Sequence, residues 1–312
     1  MKTLRINVKD KIATYLQRDG VIVCGNKGYT IAFTFDEEWD EYVSIGDRAF
    51  ENCTSLTGIN IPNTVREIGG FAFDWCSKIT SVTFAKHCPL ISIGDNAFEC
   101  CSMTELTLPD MLNSIGYYCF NVCYSLASVN FPNRLKEVGG FAFRNCYALS
   151  SVSLDEKQSQ LESVGSMAFY NCQSLQNFTF PATVGKMGGN TFTLCEKLET
   201  VTFKNRYGWF YTDSNGDKQH IPPETLEDTR MLASILTNET FVSGTTGQGL
   251  DTLTWTKLFQ MPAPEISLSL DGVLSITDST GIADMFTIYA KTVGSDDSNY
   301  QAAAWIKDLR KA

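Results

Sequence analysis

One short phrase recurs along this chain: "GGFAFDWC" at 69–76 returns as "GGFAFRNC" at 139–146. Aligned on its second phenylalanine, the phrase has seven copies, centred on Phe50, Phe73, Phe98, Phe120, Phe143, Phe169 and Phe192, in steps of 23, 25, 22, 23, 26 and 23 residues. Four positions before each Phe stands a glycine: Gly46, Gly69, Gly94, Gly116, Gly139, Gly165 and Gly188. Three positions after it stands a cysteine: Cys53, Cys76, Cys101, Cys123, Cys146, Cys172 and Cys195. A leucine usually follows (Leu56, Leu126, Leu149, Leu175, Leu198), then an alternating stretch such as "SVNFP" or "NFTFP". Repetition at a period in the low twenties restricts the chain to a solenoid, in which each unit contacts its neighbours alone.

The physics of one unit assigns its residues. The alternating stretch is a short strand whose apolar members, such as Val129 and Phe131, point inward. The AFxxC segment is expected as a compact helical or 3₁₀ turn on the opposite side, with Phe and Cys filling the interior. The glycine permits a tight corner or a close backbone approach. A unit of this length cannot bury its apolar side alone, whereas stacked units bury a continuous core.

The pattern IG-x-x-[AC]F-x-x-C-x-x-L, followed by the alternating stretch and proline, resembles the BspA-type leucine-rich repeat of bacterial and protist proteins. The resemblance covers about residues 43 to 204, with a closing cap reaching to about 260. It implies a leucine-rich-repeat solenoid of seven repeats, built of short parallel β-strands and helical turns. Several units depart from the pattern. Unit three is one residue short and uses Met103 for the leucine. Units two and five carry the insertions "AKHCPL" and "DEKQSQ". In unit seven Thr191 replaces the usual Ala or Cys.

Charge and composition narrow the function. A net charge of −10 and a pI near 4.8 repel phosphate backbones and anionic membranes, so neither nucleic acid nor membrane insertion is expected. The ladder cysteines read as small buried hydrophobes, and Cys24, Cys88, Cys100 and Cys119 show no CxxC spacing. His87 and His220 sit in no catalytic motif. Asp213, Asn215, Asp217 and Glu224 match four positions of an EF-hand loop, but Lys218 replaces its glycine and two prolines precede the glutamate. No catalysis, metal or cofactor is expected.

Two faces could bind a partner. The outward position of each strand, on the expected concave face, runs Asn60, Thr83, Thr107, Asn130, Ser153, Thr179 and Thr202. Such a neutral row of hydroxyls and amides can hydrogen-bond a protein or a glycan, although Ser and Thr also suit exposed strands. An alternative aromatic stripe holds Phe71, Tyr118 and Phe141 in one column and Tyr124 and Tyr147 in another. Those rings either bind a partner or pack between rungs.

The ends read as covers. Residues 1–42 form a β-rich module, with strands at "LRINV", "KIATYL", "VIVCG" and "YTIAFTF" and turns at "QRDG" and "NKG". The stretch "RDGVIVCGNKGYTIAFTFDEEWDEY" resembles an N-terminal module of prophage tail or baseplate-type proteins. That resemblance implies tail subunits as partners and a place on the virion, reached by lysis. The opening "MKTLRINVKDKIATYL" has no apolar core of a signal peptide, and no window is apolar enough to span a membrane. Residues 205–261 are expected as an α/β cap with a helix beginning near Pro223. Residues 262–312 are expected as a partial immunoglobulin or fibronectin-like β segment ending in a helix at "NYQAAAWIKDLRKA". The functional expectation is a non-enzymatic recognition protein, either a phage tail-associated receptor binder or a bacterial surface adhesin for matrix proteins or glycans. A purely structural assembly part is the third reading.

Overall fold

The computed structural model describes residues 14–18, 21–25, 43–54, 56–212, 218–221, 223–237 and 254–257, and four short strands further on. The chain divides into two compact units, residues 1–257 and 258–312.

Each rung of the first unit has three walls. The first is the expected alternating strand, paired in parallel with its counterparts in neighbouring rungs: Gly58–Ile61 with Ser81–Phe84, Glu105–Thr107 with Ser128–Asn130 and Ser151–Ser153, and Asn177–Phe180 with Thr200–Phe203. This wall is split into groups of two, three and two strands. The splits follow Phe84 and Ser153, the strand ends after which the two insertions come.

The second wall was not expected. Val43–Ile45, Val65–Ile68, Ser92–Ile93, Ser114–Ile115, Glu137–Val138, Ser163–Val164 and Lys186–Met187 form one unbroken parallel sheet, one strand per rung. Each of these strands ends at the apolar residue before the repeat glycine. That residue (Ile45, Ile68, Ile93, Ile115, Val138, Val164 or Met187) points into the core. The glycines serve close approach. A Cβ on Gly139 would lie 2.5 Å from the carbonyl carbon of Gly116, and one on Gly165 would lie 2.3 Å from Gly140 N. No side chain fits where backbone meets backbone.

The third wall is the AFxxC segment, and here the expectation of a helical or 3₁₀ turn is corrected. Ala49, Glu51 and Cys53 donate their amides within the segment, to the carbonyls of Gly46, Arg48 and Phe50. The alternate amides of Arg48, Phe50 and Asn52 cross to Gly70, Ala72 and Asp74 of the next rung, at 2.8, 2.7 and 2.7 Å. A 3₁₀ helix would keep every bond internal; these linked β-turns export every second one to the neighbouring rung. The alternation requires left-handed backbone at two places per rung, two residues either side of the Phe, with φ between 54° and 63°. Asn occupies five of those fourteen positions (Asn52, Asn96, Asn145, Asn171 and Asn190), as its tolerance of this region favours.

The core is a column of repeat phenylalanines. Successive rings from Phe50 to Phe192 stack with centroids 5.1 to 5.7 Å apart and planes within 16°. Each pair is worth about 0.5–1.5 kcal/mol beyond its buried area. At the far end two tryptophans pack on Phe203 of the last first-wall strand, which itself stacks on Phe180. Trp209 meets Phe203 edge-on at 5.0 Å, Trp255 lies parallel to Phe203, and both tryptophans are fully buried. Their strands, Trp209–Thr212 and Trp255–Lys257, extend the second sheet in antiparallel fashion beyond Lys186–Met187.

The cap helix begins later than expected. Pro223–Leu226 is a 3₁₀ turn, and the α-helix is Thr229–Thr237, capped by Asp228, whose carboxylate accepts from the amides of Arg230 and Met231. Leu232, Ala233, Ile235 and Leu236 are its buried face. At the N-terminal end Thr14–Arg18 pairs antiparallel with Val21–Gly25. The first strand thus runs two residues further than "KIATYL". The other N-terminal strands and the Asp213, Asn215 and Asp217 positions lie outside the described residues.

The second unit contains two antiparallel hairpins, Glu265–Leu268 with Leu274–Thr277 and Met285–Ala290 with Gln301–Lys307. Within the expected C-terminal helix, Gln301–Lys307 is a strand instead, and the rest of that stretch lies outside the described residues. Pairing with Met285–Ala290 supplies its backbone partners and overrides the helix propensity of "QAAAW".

Candidate binding surfaces

On the first wall, parallel register aligns the candidate residues rung by rung. Asn60 faces Thr83, Thr107 faces Asn130 and Asn130 faces Ser153, and Thr179 faces Thr202. The first five are exposed, whereas Thr179 and Thr202 are half-buried. Part of the row's hydrogen-bonding capacity is used internally. The hydroxyl of Thr83 donates to Asn60 Oδ1 at 3.3 Å, and that of Ser153 donates to Asn130 Oδ1 at 3.0 Å. The first split in this wall opens into a depression of about 970 Å³, lined by Thr83, His87, Glu105, Thr107 and Met111 among others. His87 is exposed, on the inserted loop, in left-handed backbone.

The aromatic candidates separate into distinct groups on the turn wall. Tyr118 and Phe141 stack at 4.5 Å and are half-buried at left-handed positions. Phe71 belongs to the same column, but Asn96 intervenes, and the guanidinium of Arg48 lies 4.3 Å above its ring. Tyr124 and Tyr147 form a separate stacked pair, 4.9 Å apart and 51% and 38% exposed. These five rings are therefore two local clusters and one covered residue.

The ladder cysteines do more than fill space. From the second rung on, each donates its thiol to the carbonyl of the Phe one rung earlier: Cys76 to Phe50, Cys101 to Phe73, Cys123 to Phe98, Cys146 to Phe120, Cys172 to Phe143 and Cys195 to Phe169, at 3.0 to 3.5 Å. The reading as plain hydrophobes is corrected on this point. Cysteine suits the position because it packs as an apolar group and still offers a weak donor. Burial pushes the thiols of Cys101, Cys119, Cys123, Cys146 and Cys172 well up, and Cys100 up to about 11, so thiolate chemistry is suppressed. Among the described side chains ten cysteines are free, and no cluster of His, Cys, Asp and Glu could hold a metal ion. Among the described residues no helix is long and apolar enough to cross a membrane.

One buried polar feature was missed. Directly after the repeat Phe, Glu51, Asp74, Glu99 and Asn121 follow one another in consecutive rungs. Asp74 is 6% exposed, and its Oδ1 has no hydrogen-bond partner. Desolvation, then the charges of Glu99 and Glu51, raise its carboxyl to about 7. Asn121 donates to Glu99 Oε1 at 2.7 Å, and Asn96 also donates to Glu99. In the sequence this column shows only as polar residues after Phe, because each charge's neighbours are supplied by the next rung.

The second wall carries a groove of about 460 Å³ across five rungs. Its outward residues Ser92, Ser114, Glu137, Ser163 and Lys186 are aligned in register. The sequence reading missed it, since strands of two residues show no alternation.

The chain matches the family described as BspA type leucine rich repeat region (6 copies), over residues 43–161 and 156–215. A leucine-rich cell surface protein of Faecalibacterium prausnitzii is similar in structure, with a TM-score of 0.53 and 26% identity, over 67% of this chain and 61% of that one. The chain thus spans less than two thirds of that protein's length. A leucine-rich repeat protein of T. pallidum aligns at 28% identity and a TM-score of 0.48, over 60% of this chain and 87% of that one. No curated protein matches the sequence. With more than half of its residues inside the matched repeats, the chain belongs to the BspA type leucine-rich repeat family.

Proposed function

We propose that the chain is a non-enzymatic recognition protein whose repeats present a binding face to a protein or glycan on a cell surface. The observation that carries this reading is the row from Asn60 to Thr202, neutral side chains held at one position on successive strands. Such a row recognises an extended partner by hydrogen bonding without strong charge steering. No catalytic cluster competes with it among the described residues: Asp74 is crowded by Glu99 and Glu51, and burial raises the thiols of Cys101, Cys119, Cys123, Cys146 and Cys172. The bacterial cell surface is the proposed location, in keeping with the likeness to the Faecalibacterium cell surface protein. A second reading, a phage or prophage tail-associated receptor binder on the virion, is favoured by the resemblance of residues 18–42 to tail-type modules. Fluorescently labelled protein overlaid on gut bacterial cells and on mammalian extracellular matrix tests both. Matrix staining supports the adhesin, selective staining of bacteria supports the receptor binder, and staining of neither removes both readings.

A further inference from the structure

We propose that the groove of the second wall is a separate site for an extended, neutral oligosaccharide. It goes beyond the recognition reading, because it lies on a different sheet and none of the row from Asn60 to Thr202 lines it. Its floor is a row of outward side chains, three of them serines, repeated at the rung spacing of ~4.8 Å, close to the length of one pyranose in an extended chain. The hydroxyls of Ser92, Ser114 and Ser163 have no protein hydrogen-bond partner among the described residues. In the first wall, by contrast, Ser153 and Thr83 are bonded to asparagines. A free hydroxyl both donates and accepts, which is what a row of sugar hydroxyls requires.

The groove's wall adds a ring. Tyr117 is 58% exposed and belongs to the lining. A Cβ on Gly140 would lie 2.9 Å from Tyr117 Cε1, so the absence of a side chain there is what lets the ring settle against the next rung. Its backbone is held by Asp95, whose carboxylate accepts the Tyr117 amide at 2.7 Å. The ring is thus fixed from behind and open in front, the arrangement that stacks on the C–H face of a sugar. Charge points the same way. Asp95, Glu137 and Lys186 are exposed in the lining, two acids against one base, so the groove disfavours a polyanion and carries too little charge to gather a polycation. A peptide would need pockets for anchoring side chains, and this lining offers a single exposed aromatic.

The test is titration calorimetry with linear neutral hexasaccharides of β-linked glucose, N-acetylglucosamine, xylose and mannose, and with their disaccharides. Binding of at least one hexasaccharide is expected, at least tenfold tighter than its disaccharide. Tyr117→Ala should weaken it tenfold or more, while Tyr117→Phe should retain it within threefold. The triple variant Asn130→Lys, Ser153→Lys, Thr179→Lys should leave it unchanged, which separates this site from the first face. The proposal is overturned by binding that survives Tyr117→Ala, by loss in the triple variant, by preference for an extended peptide of equal length, or by no heat from any sugar at millimolar concentration.

Discussion

Replacing Asp74 by asparagine should stabilise the protein at neutral pH and flatten its stability against pH. In the folded chain the Asp74 carboxyl is raised from 3.8 to about 7 by desolvation and by Glu99 and Glu51, which Arg48 offsets in part. At 1.36 kcal/mol per unit, a shift of that size corresponds to at most about 4 kcal/mol. Spreading the repulsion over three carboxylates brings the expected effect to roughly 2–4 kcal/mol. The sign follows from linkage: a group whose folded pKa is raised contributes stability below its unfolded pKa, and that contribution is lost as pH rises through its folded pKa. The wild type should therefore lose stability between about pH 4 and pH 7 and level off above. The asparagine side chain of Asp74→Asn has no proton to lose, and the precedent of Asn121 donating to Glu99 shows that an amide fits this column. Thermal unfolding followed by circular dichroism at pH 5, 6, 7 and 8 reads the effect, expected as a gain of roughly 5–10 °C in the variant at pH 8. The gain should be smaller at pH 5. Equal midpoints at pH 8, or parallel pH profiles for the two proteins, would refute the assignment of a strained, buried carboxylate.

Other substitutions probe the rest of the account. Val122 is a β-branched residue in left-handed backbone, at φ 62°, between Cys100 and Asn145 in its column. Val122→Asn should raise stability by about 1 kcal/mol in urea unfolding by relieving that conformation. Phe143 is fully buried in the ring column between Phe120 and Phe169, and Phe143→Ala should cost about 3–5 kcal/mol in the same assay. Cys146→Ala removes the thiol donated to the Phe120 carbonyl and leaves a small void, so a loss of about 1–3 kcal/mol is expected. Buried thiols of raised pKa react slowly. A thiol reagent at neutral pH should therefore leave Cys101, Cys123, Cys146 and Cys172 unmodified, by mass spectrometry, until denaturant is added.

The parts of the fold legible in the sequence are those in which one residue type recurs at one position. The Phe, Gly and Cys columns announced the stack, and alternation in "SVNFP" and "NFTFP" announced the first wall. The second wall was hidden because Ser114–Ile115 or Lys186–Met187 is too short to show a period of two. Its strands exist only through pairing with the next rung. The turn wall was misread because the three-residue spacing of Phe and Cys suits both a 3₁₀ turn and a chain of β-turns. The choice between them lies in where alternate amides such as those of Arg48 and Asn52 bond, which is a contact between rungs. The same logic applied to the binding surfaces. Asn130 and Ser153 could be placed on one face from their strand positions, whereas Tyr117 over Gly140 and Asp74 between Glu51 and Glu99 are juxtapositions some 23 to 25 residues apart in sequence.

The central claim, that the first wall is the recognition face, is tested most directly by comparing cell-surface binding of the wild type with that of the Asn130→Lys, Ser153→Lys, Thr179→Lys variant by flow cytometry, at matched thermal midpoints. Asn130 and Ser153 are exposed and Thr179 is half-buried, so the substitutions should leave the core intact and place three long charged side chains across the row. The account predicts that the variant loses at least tenfold in apparent affinity while unfolding within a few degrees of the wild type. Undiminished binding by a folded variant would contradict it.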